Sequence, residues 1–210
     1  MKKTRLEAFS DGVFAIVITL LILNVRLPEV RIDGLYDGLV QMLPTVGVYM
    51  LSFLLIGMYW VFHHYAFTFI SEVDGVLLWL NILFLLFISF IPFPTMMLGK
   101  YPFQTLPVVI YGANLVLVNI TGFILILYLR RNKQLTSSVF TDKLYRSQMQ
   151  MYLGVNGFYL GCIALAFYAP RISVYLLGIM TFYLIIRSIV MMGIGKCNLR
   201  TRFDETPGID

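Results

Sequence analysis

The chain has 210 residues, of which 59% are hydrophobic and 13% charged, with a formal net charge of +5 and a mean hydropathy of +0.82. Such a composition is too apolar for a soluble domain and marks an integral membrane protein. The basic residues fall between apolar runs and not on one soluble face, so the positive charge reports topology and does not point to nucleic acid.

The first element begins MKKTR and runs on into apolar residues, which mimics a secretory leader. The apolar run is too long for one, contains Asp11 and lacks a small-residue cleavage site, so it reads as a first span over 5–26. A hydrocarbon core of about 30 Å needs about 20 helical residues, and lipid-exposed backbone must be hydrogen-bonded within its own segment. Long apolar runs here are therefore helices. Five more follow, over 38–69, 74–99, 103–130, 143–168 and 171–194, with Pro28, Pro102 and Pro170 marking breaks near the turns. The second span is longer than a bilayer requires and is expected to tilt or project. No Ser/Gly-rich linker and no internal repeat divides the chain, so the expectation is one all-α, six-helix transmembrane domain over 1–210, with nothing large outside the bilayer.

Lys2, Lys3, Arg5, Arg130, Arg131, Lys133, Lys143, Arg146, Lys196, Arg200 and Arg202 fall on the side of the N-terminus, against Arg26, Arg31, Lys100 and Arg171 on the other. The positive-inside rule therefore predicts that both termini are cytoplasmic. Cys162 lies in an apolar helix and Cys197 in a basic tail, which suggests neither a disulfide nor a cysteine metal site.

Polar residues within spans are costly unless they meet a partner or water. Three sets qualify: Ser10 and Asp11 on span one; Trp60, His63 and His64 in "YWVFHHY" on span two; and Asn81 on span three. With alternating span directions, all three fall in the same third of the bundle and can meet. At 100° per residue, Ile16, Leu20 and Leu23 form a stripe with Phe9, Gly12 and Thr19 beside it, while Asp11 lies about 220° and Ser10 about 120° from Ile16. The acid is therefore expected to face neighbouring helices. Trp60 and His64, four residues apart, share one face and are the expected N–H donors to Asp11 or Ser10. The cluster reads as a polar brace between helices or, through histidine's titration range, as a proton relay. Metal ligation by His63 and His64 is disfavoured, because adjacent helical residues diverge by about 100°. No catalytic or nucleotide-binding fingerprint is present, so an enzyme is unsupported. The Ile/Leu stripe, on composition alone, is packing or lipid contact.

Arg5-x-x-x-Phe9-Ser10-Asp11 followed by "GVFAIVITLLIL" is similar to the signature first helix of the endolysosomal potassium channel family, in its short bacterial form of six spans per subunit. "WVFHH" on span two and "LLWLNILFLLFISFIPFPT" on span three share the resemblance, which covers roughly the first hundred residues. It implies a potassium-permeable channel without the carbonyl filter TVGYG, and no such loop occurs here. It further implies a pore lined by span one, a hydrophobic constriction at Ile16, outer layers at Leu20 and Leu23, an influence of Thr19 on selectivity, and a homotetramer in a bacterial plasma membrane, with no cofactor beyond permeant K⁺. Physics agrees that one short chain with one candidate pore stripe needs several copies around an axis to enclose a path. Arg5 is placed near the mouth, where it could pair with Glu7 or Asp74. The competing classes are a proton-coupled secondary transporter using Asp11 and His64, and a membrane scaffold subunit without transport.

Overall fold

The computed structural model describes residues 2–27, 32–137 and 141–204, the side chains at 32, 143 and 191–204 excepted. Pro28 and Arg31 lie outside the described residues, as do the side chains of Lys143, Lys196, Cys197, Arg200 and Arg202. The described chain is all-α: α1 (Lys3–Leu20), α2 (Leu35–Phe67), α3 (Gly75–Phe90), α4 (Pro92–Lys100), α5 (Thr105–Arg131), α6 (Asp142–Ala166) and α7 (Pro170–Asp204). Among the described residues six stretches are long and apolar enough to cross a membrane, as the hydropathy predicts. The protein is a multi-pass membrane protein.

The third span departs from the expected single helix. It breaks at Ile91, between α3 and α4, where Pro92 has no N–H to offer the carbonyl four residues back and its ring crowds that carbonyl. Backbone freed within a membrane must find partners. The Ile91 N–H turns to the Ile88 carbonyl at 3.1 Å. Asn114 of α5 donates to the Phe87 carbonyl at 3.1 Å, and Asn24, in the 3₁₀ turn that ends the first span, donates to the Pro92 carbonyl at 3.1 Å. α2 carries Pro44 and runs for 33 residues, about 50 Å at 1.5 Å per residue, so it exceeds the bilayer as anticipated.

α5 is the most buried span and packs against α3, α4 and α6. Its approach to α6 depends on two glycines. A Cβ on Gly112 would sit 2.8 Å from Ile163 Cγ1, and one on Gly122 would sit 2.8 Å from the Tyr152 hydroxyl. Small residues that let backbones close up are how membrane helices gain packing, since lipid offers no hydrophobic gain. α1 lies on the other side of the bundle, against α2 and α3.

A smaller apolar cluster of Leu6, Phe67, Ile70, Leu77, Leu125, Leu129 and Leu135 closes the end where α1 and α3 begin and α2 and α5 finish. Asp74 caps α3 there: its Oδ1 accepts from the Leu77 N–H at 2.8 Å, and its Oδ2 accepts from the Tyr128 hydroxyl of α5. Burial pushes the Asp74 carboxyl up, but the Tyr128 hydroxyl and the backbone N–H donors outweigh it and hold the group below the usual carboxylate range. A depressed carboxylate stabilises the fold above its unfolded pKa and loses that contribution as pH falls through the folded value. Asp74→Ala is therefore expected to lower stability at neutral pH by about 1 kcal/mol, with the difference from wild type shrinking below about pH 4. Thermal unfolding of both proteins across that range checks it; a deficit that persists undiminished at low pH would show that the ionised cap is not its origin.

Candidate functional site

α1 has two faces. Leu6, Ser10, Phe14, Val17 and Leu21 recur every three or four residues and are buried against α2 and α3. On the opposite side Ile16, Leu20 and Leu23 are 60%, 44% and 64% exposed, with Phe9 and Thr19 beside them also exposed. The Thr19 hydroxyl donates to the Ile16 carbonyl at 2.8 Å, which leaves its oxygen lone pairs as the polar feature of this otherwise apolar face.

The buried face carries a polar string across three helices. His63 Nε2 lies 2.8 Å from Asn81 Oδ1, Asn81 Nδ2 donates to Ser10 Oγ at 3.0 Å, and Ser10 Oγ donates to the Leu6 carbonyl at 2.9 Å. An amide oxygen can only accept, so the imidazole donates from Nε2 and all three bonds run in one direction, from α2 through α3 to α1. Ser10 and Asn81 are fully buried and His63 nearly so. The His63 ring stacks on Phe67 at 4.2 Å and on Phe84 at 5.8 Å, with Phe14 tilted at 5.6 Å. Apolar walls of this kind exclude water and raise the cost of breaking the string.

Ser10 and Asp11 do not share a partner. They diverge by about 100° on the helix, so Ser10 enters the core while Asp11 stays exposed on the flank and accepts from Trp60 Nε1 at 2.8 Å. The expected role of His64 fails here. It stacks on Trp60 at 5.9 Å and makes no hydrogen bond to Asp11 or Ser10, while its neighbour His63 supplies the buried donor. The reason lies in α2's own periodicity: Ser52, Leu55, Tyr59, His63 and Phe67 form its buried stripe, and His64 falls outside it. Arg5 does not join Glu7 or Asp74 either. Glu7 is 3.6 Å from Lys3, and Asp74 is engaged by Tyr128 and Leu77.

Three further buried polar contacts escape sequence reasoning. Thr95 Oγ1 lies 3.0 Å from Ser52 Oγ, which lies 3.1 Å from the Tyr111 hydroxyl; Asn119 Nδ2 donates to the Tyr59 hydroxyl at 2.8 Å. Hydroxyls and amides at membrane depth were the available signal, but pairing needs the helix neighbours. Among the described residues no three His, Cys, Asp or Glu side chains gather as a metal site.

A family model described as the endosomal/lysosomal potassium channel TMEM175 matches residues 5–92, the stretch that holds both faces of α1 and the whole polar string. A potassium channel of Chryseobacterium sp. (strain P1-3) is 34% identical over 174 residues, which is 83% of this chain and 88% of that one. The crystal structure of a lysosomal potassium-selective channel TMEM175 homolog from Chamaesiphon minutus matches with a TM-score of 0.77 at 29% identity, over 89% of this chain and 97% of that one. The Gallus gallus relative, named an endosomal/lysosomal proton channel TMEM175, is 40% identical over 101 residues, 44% of this chain and 20% of its own length.

Proposed function

This chain belongs to the TMEM175 potassium channel family, and from that premise we propose that it is a potassium-permeable cation channel whose pore is lined by α1 in a homotetramer. The observation that supports the reading is the exposure of Ile16, Leu20 and Leu23 on a helix whose other face is tightly packed. One helix in one subunit cannot enclose a path, whereas several copies around a symmetry axis turn that stripe into stacked rings. Four copies come from the family resemblance. The termini are placed in the cytoplasm by the basic excess, and the bacterial plasma membrane is the proposed location.

A ring of isoleucine and leucine offers a cation no replacement for its water, so it acts first as a barrier that gates by narrowing and dewetting. Permeation requires the rings to widen for a partly hydrated ion. Smaller, more tightly hydrated sodium loses more at that step, which gives selectivity for potassium and other large monovalent cations. The polar string holds α1 at a fixed angle to α2 and α3 while its apolar face meets the ion. Ser10, Asn81 and His63 are positioning residues in this reading, and Asp11 with Trp60 flanks them.

A second reading takes protons along the flank, since Asp11 is exposed there with Trp60 and His64 close by. Purified protein in proteoliposomes separates the two. Rapid potassium flux down its gradient, independent of an imposed pH gradient, is the expected result. Saturable uptake that collapses with the pH gradient would establish a proton-coupled transporter, and silence in both assays would leave a scaffold subunit.

A further inference from the structure

We infer that the cleft between α6 and α7 at Arg187 is a binding site for the phosphodiester of an anionic membrane phospholipid, of the phosphatidylglycerol type. Arg187 sits inside the last span, three residues before the end of its apolar stretch Pro170–Val190. A guanidinium near the end of a span reaches the headgroup level, where an anionic acceptor stabilises it. Among the described residues none provides an anionic one: Nη1 lies 3.5 Å from the Tyr183 hydroxyl, at the limit of a hydrogen bond, and the buried Nε has no partner there. Among the described residues the ion pairs are Lys3–Glu7 and Arg130–Asp142, neither of which involves Arg187.

The space beside it is a cleft of about 400 Å³. Its walls change character with depth. Ser147 and Gln150, in the first turns of α6, and Arg187, near the end of the last span, line it together. Beyond them Met151, Val155 and Met180 make the deeper wall apolar. Gly154 leaves room between these, because a Cβ built on it would meet nothing within 4 Å. A polar mouth over an apolar floor reproduces the gradient from headgroup to acyl chain, which is what favours a lipid over a free phosphate ion.

The donors suit a phosphate. The guanidinium fork presents parallel N–H groups that match two phosphate oxygens, and the Ser147 hydroxyl and Gln150 amide add further donors. Among the described residues no acid lines the cleft, so the cationic amine of a zwitterionic headgroup meets no counter-ion among them. Basic pockets between membrane helices at the headgroup level recognise anionic lipids on these grounds. The inference concerns the outer flank of the bundle and stands whatever ion crosses it.

Native mass spectrometry of the detergent-solubilised full chain, titrated with phosphatidylglycerol or phosphatidylcholine, tests it. Wild type is expected to retain phosphatidylglycerol in preference to phosphatidylcholine, and R187Q to bind it about tenfold more weakly. Gly154→Leu, which fills the cleft and keeps the arginine, is expected to weaken it similarly and guards against a folding defect in R187Q. Glycerol phosphate is not expected to compete. Retention by either variant equal to wild type would overturn the site, equal binding of the two lipids would overturn the anionic preference, and displacement by glycerol phosphate would make it a free-anion site.

Discussion

Ile16→Asn is expected to raise potassium conductance by about tenfold or more and to bring the potassium-to-sodium permeability ratio towards unity. The side chain is 60% exposed, on the face of α1 turned away from α2 and α3, so the change should leave the fold of the subunit intact. A ring of apolar side chains excludes water when narrow, and the barrier to an ion is the cost of stripping hydration without replacement. An amide ring holds water and offers carbonyl oxygens, which removes much of that cost for both ions. Removing about 1.4 kcal/mol of barrier gives tenfold in rate. Sodium gains more, because it loses more hydration at an apolar ring. Planar-bilayer recordings under potassium/sodium bi-ionic conditions provide the measurement, with Phe14→Asn on the buried face expected to impair folding. Unchanged conductance and selectivity in Ile16→Asn would remove α1 from the ion path.

Asn81→Ala is expected to destabilise the protein by about 2–4 kcal/mol, more than Asp11→Ala. Truncation at the centre of the string deprives His63 Nε2 of its acceptor and Ser10 of its donor among buried side chains. Each buried polar group left unmet costs about 1–3 kcal/mol, and within membranes the measured average per hydrogen bond is nearer 0.6 kcal/mol. The cavity adds to this. Asp11→Ala breaks one bond on an exposed flank, where both groups can turn to water or headgroups, so a loss under about 1 kcal/mol is expected. Unfolding in mixed micelles and size-exclusion of the assembly report both. If Asp11→Ala proves the more damaging, the flank and not the core string holds α1, as it would if a neighbouring subunit covered Asp11.

The string shows where sequence reasoning reaches and where it stops. Helical phase alone separates Ser10 from Ile16 by about 120°, and this placed one on a packed face and the other on a free one. The same count separates Ser10 from Asp11 by about 100°, yet treating both as one polar cluster hid that they serve different helices. His63 belongs to the stripe Ser52, Leu55, Tyr59 and Phe67, whereas the i, i+4 spacing of Trp60 and His64 lies outside it and brings only Trp60 to Asp11. Asn81 was legible only as a costly polar residue in search of partners, because hydropathy records the cost of burial and not the neighbour that offsets it.

The sequence by itself determined the class, the number of spans and the phase of α1, because burial in lipid imposes helix length and backbone closure on each segment separately, and the resemblance of its first hundred residues named the family. The tertiary structure decided what no segment contains. It met the break at Pro92 with bonds from Asn24 and Asn114, chose His63 over His64, and set Arg187 at a cleft with no acid among its described lining residues. Those outcomes depend on distances between helices, which side-chain packing sets and a linear pattern does not encode.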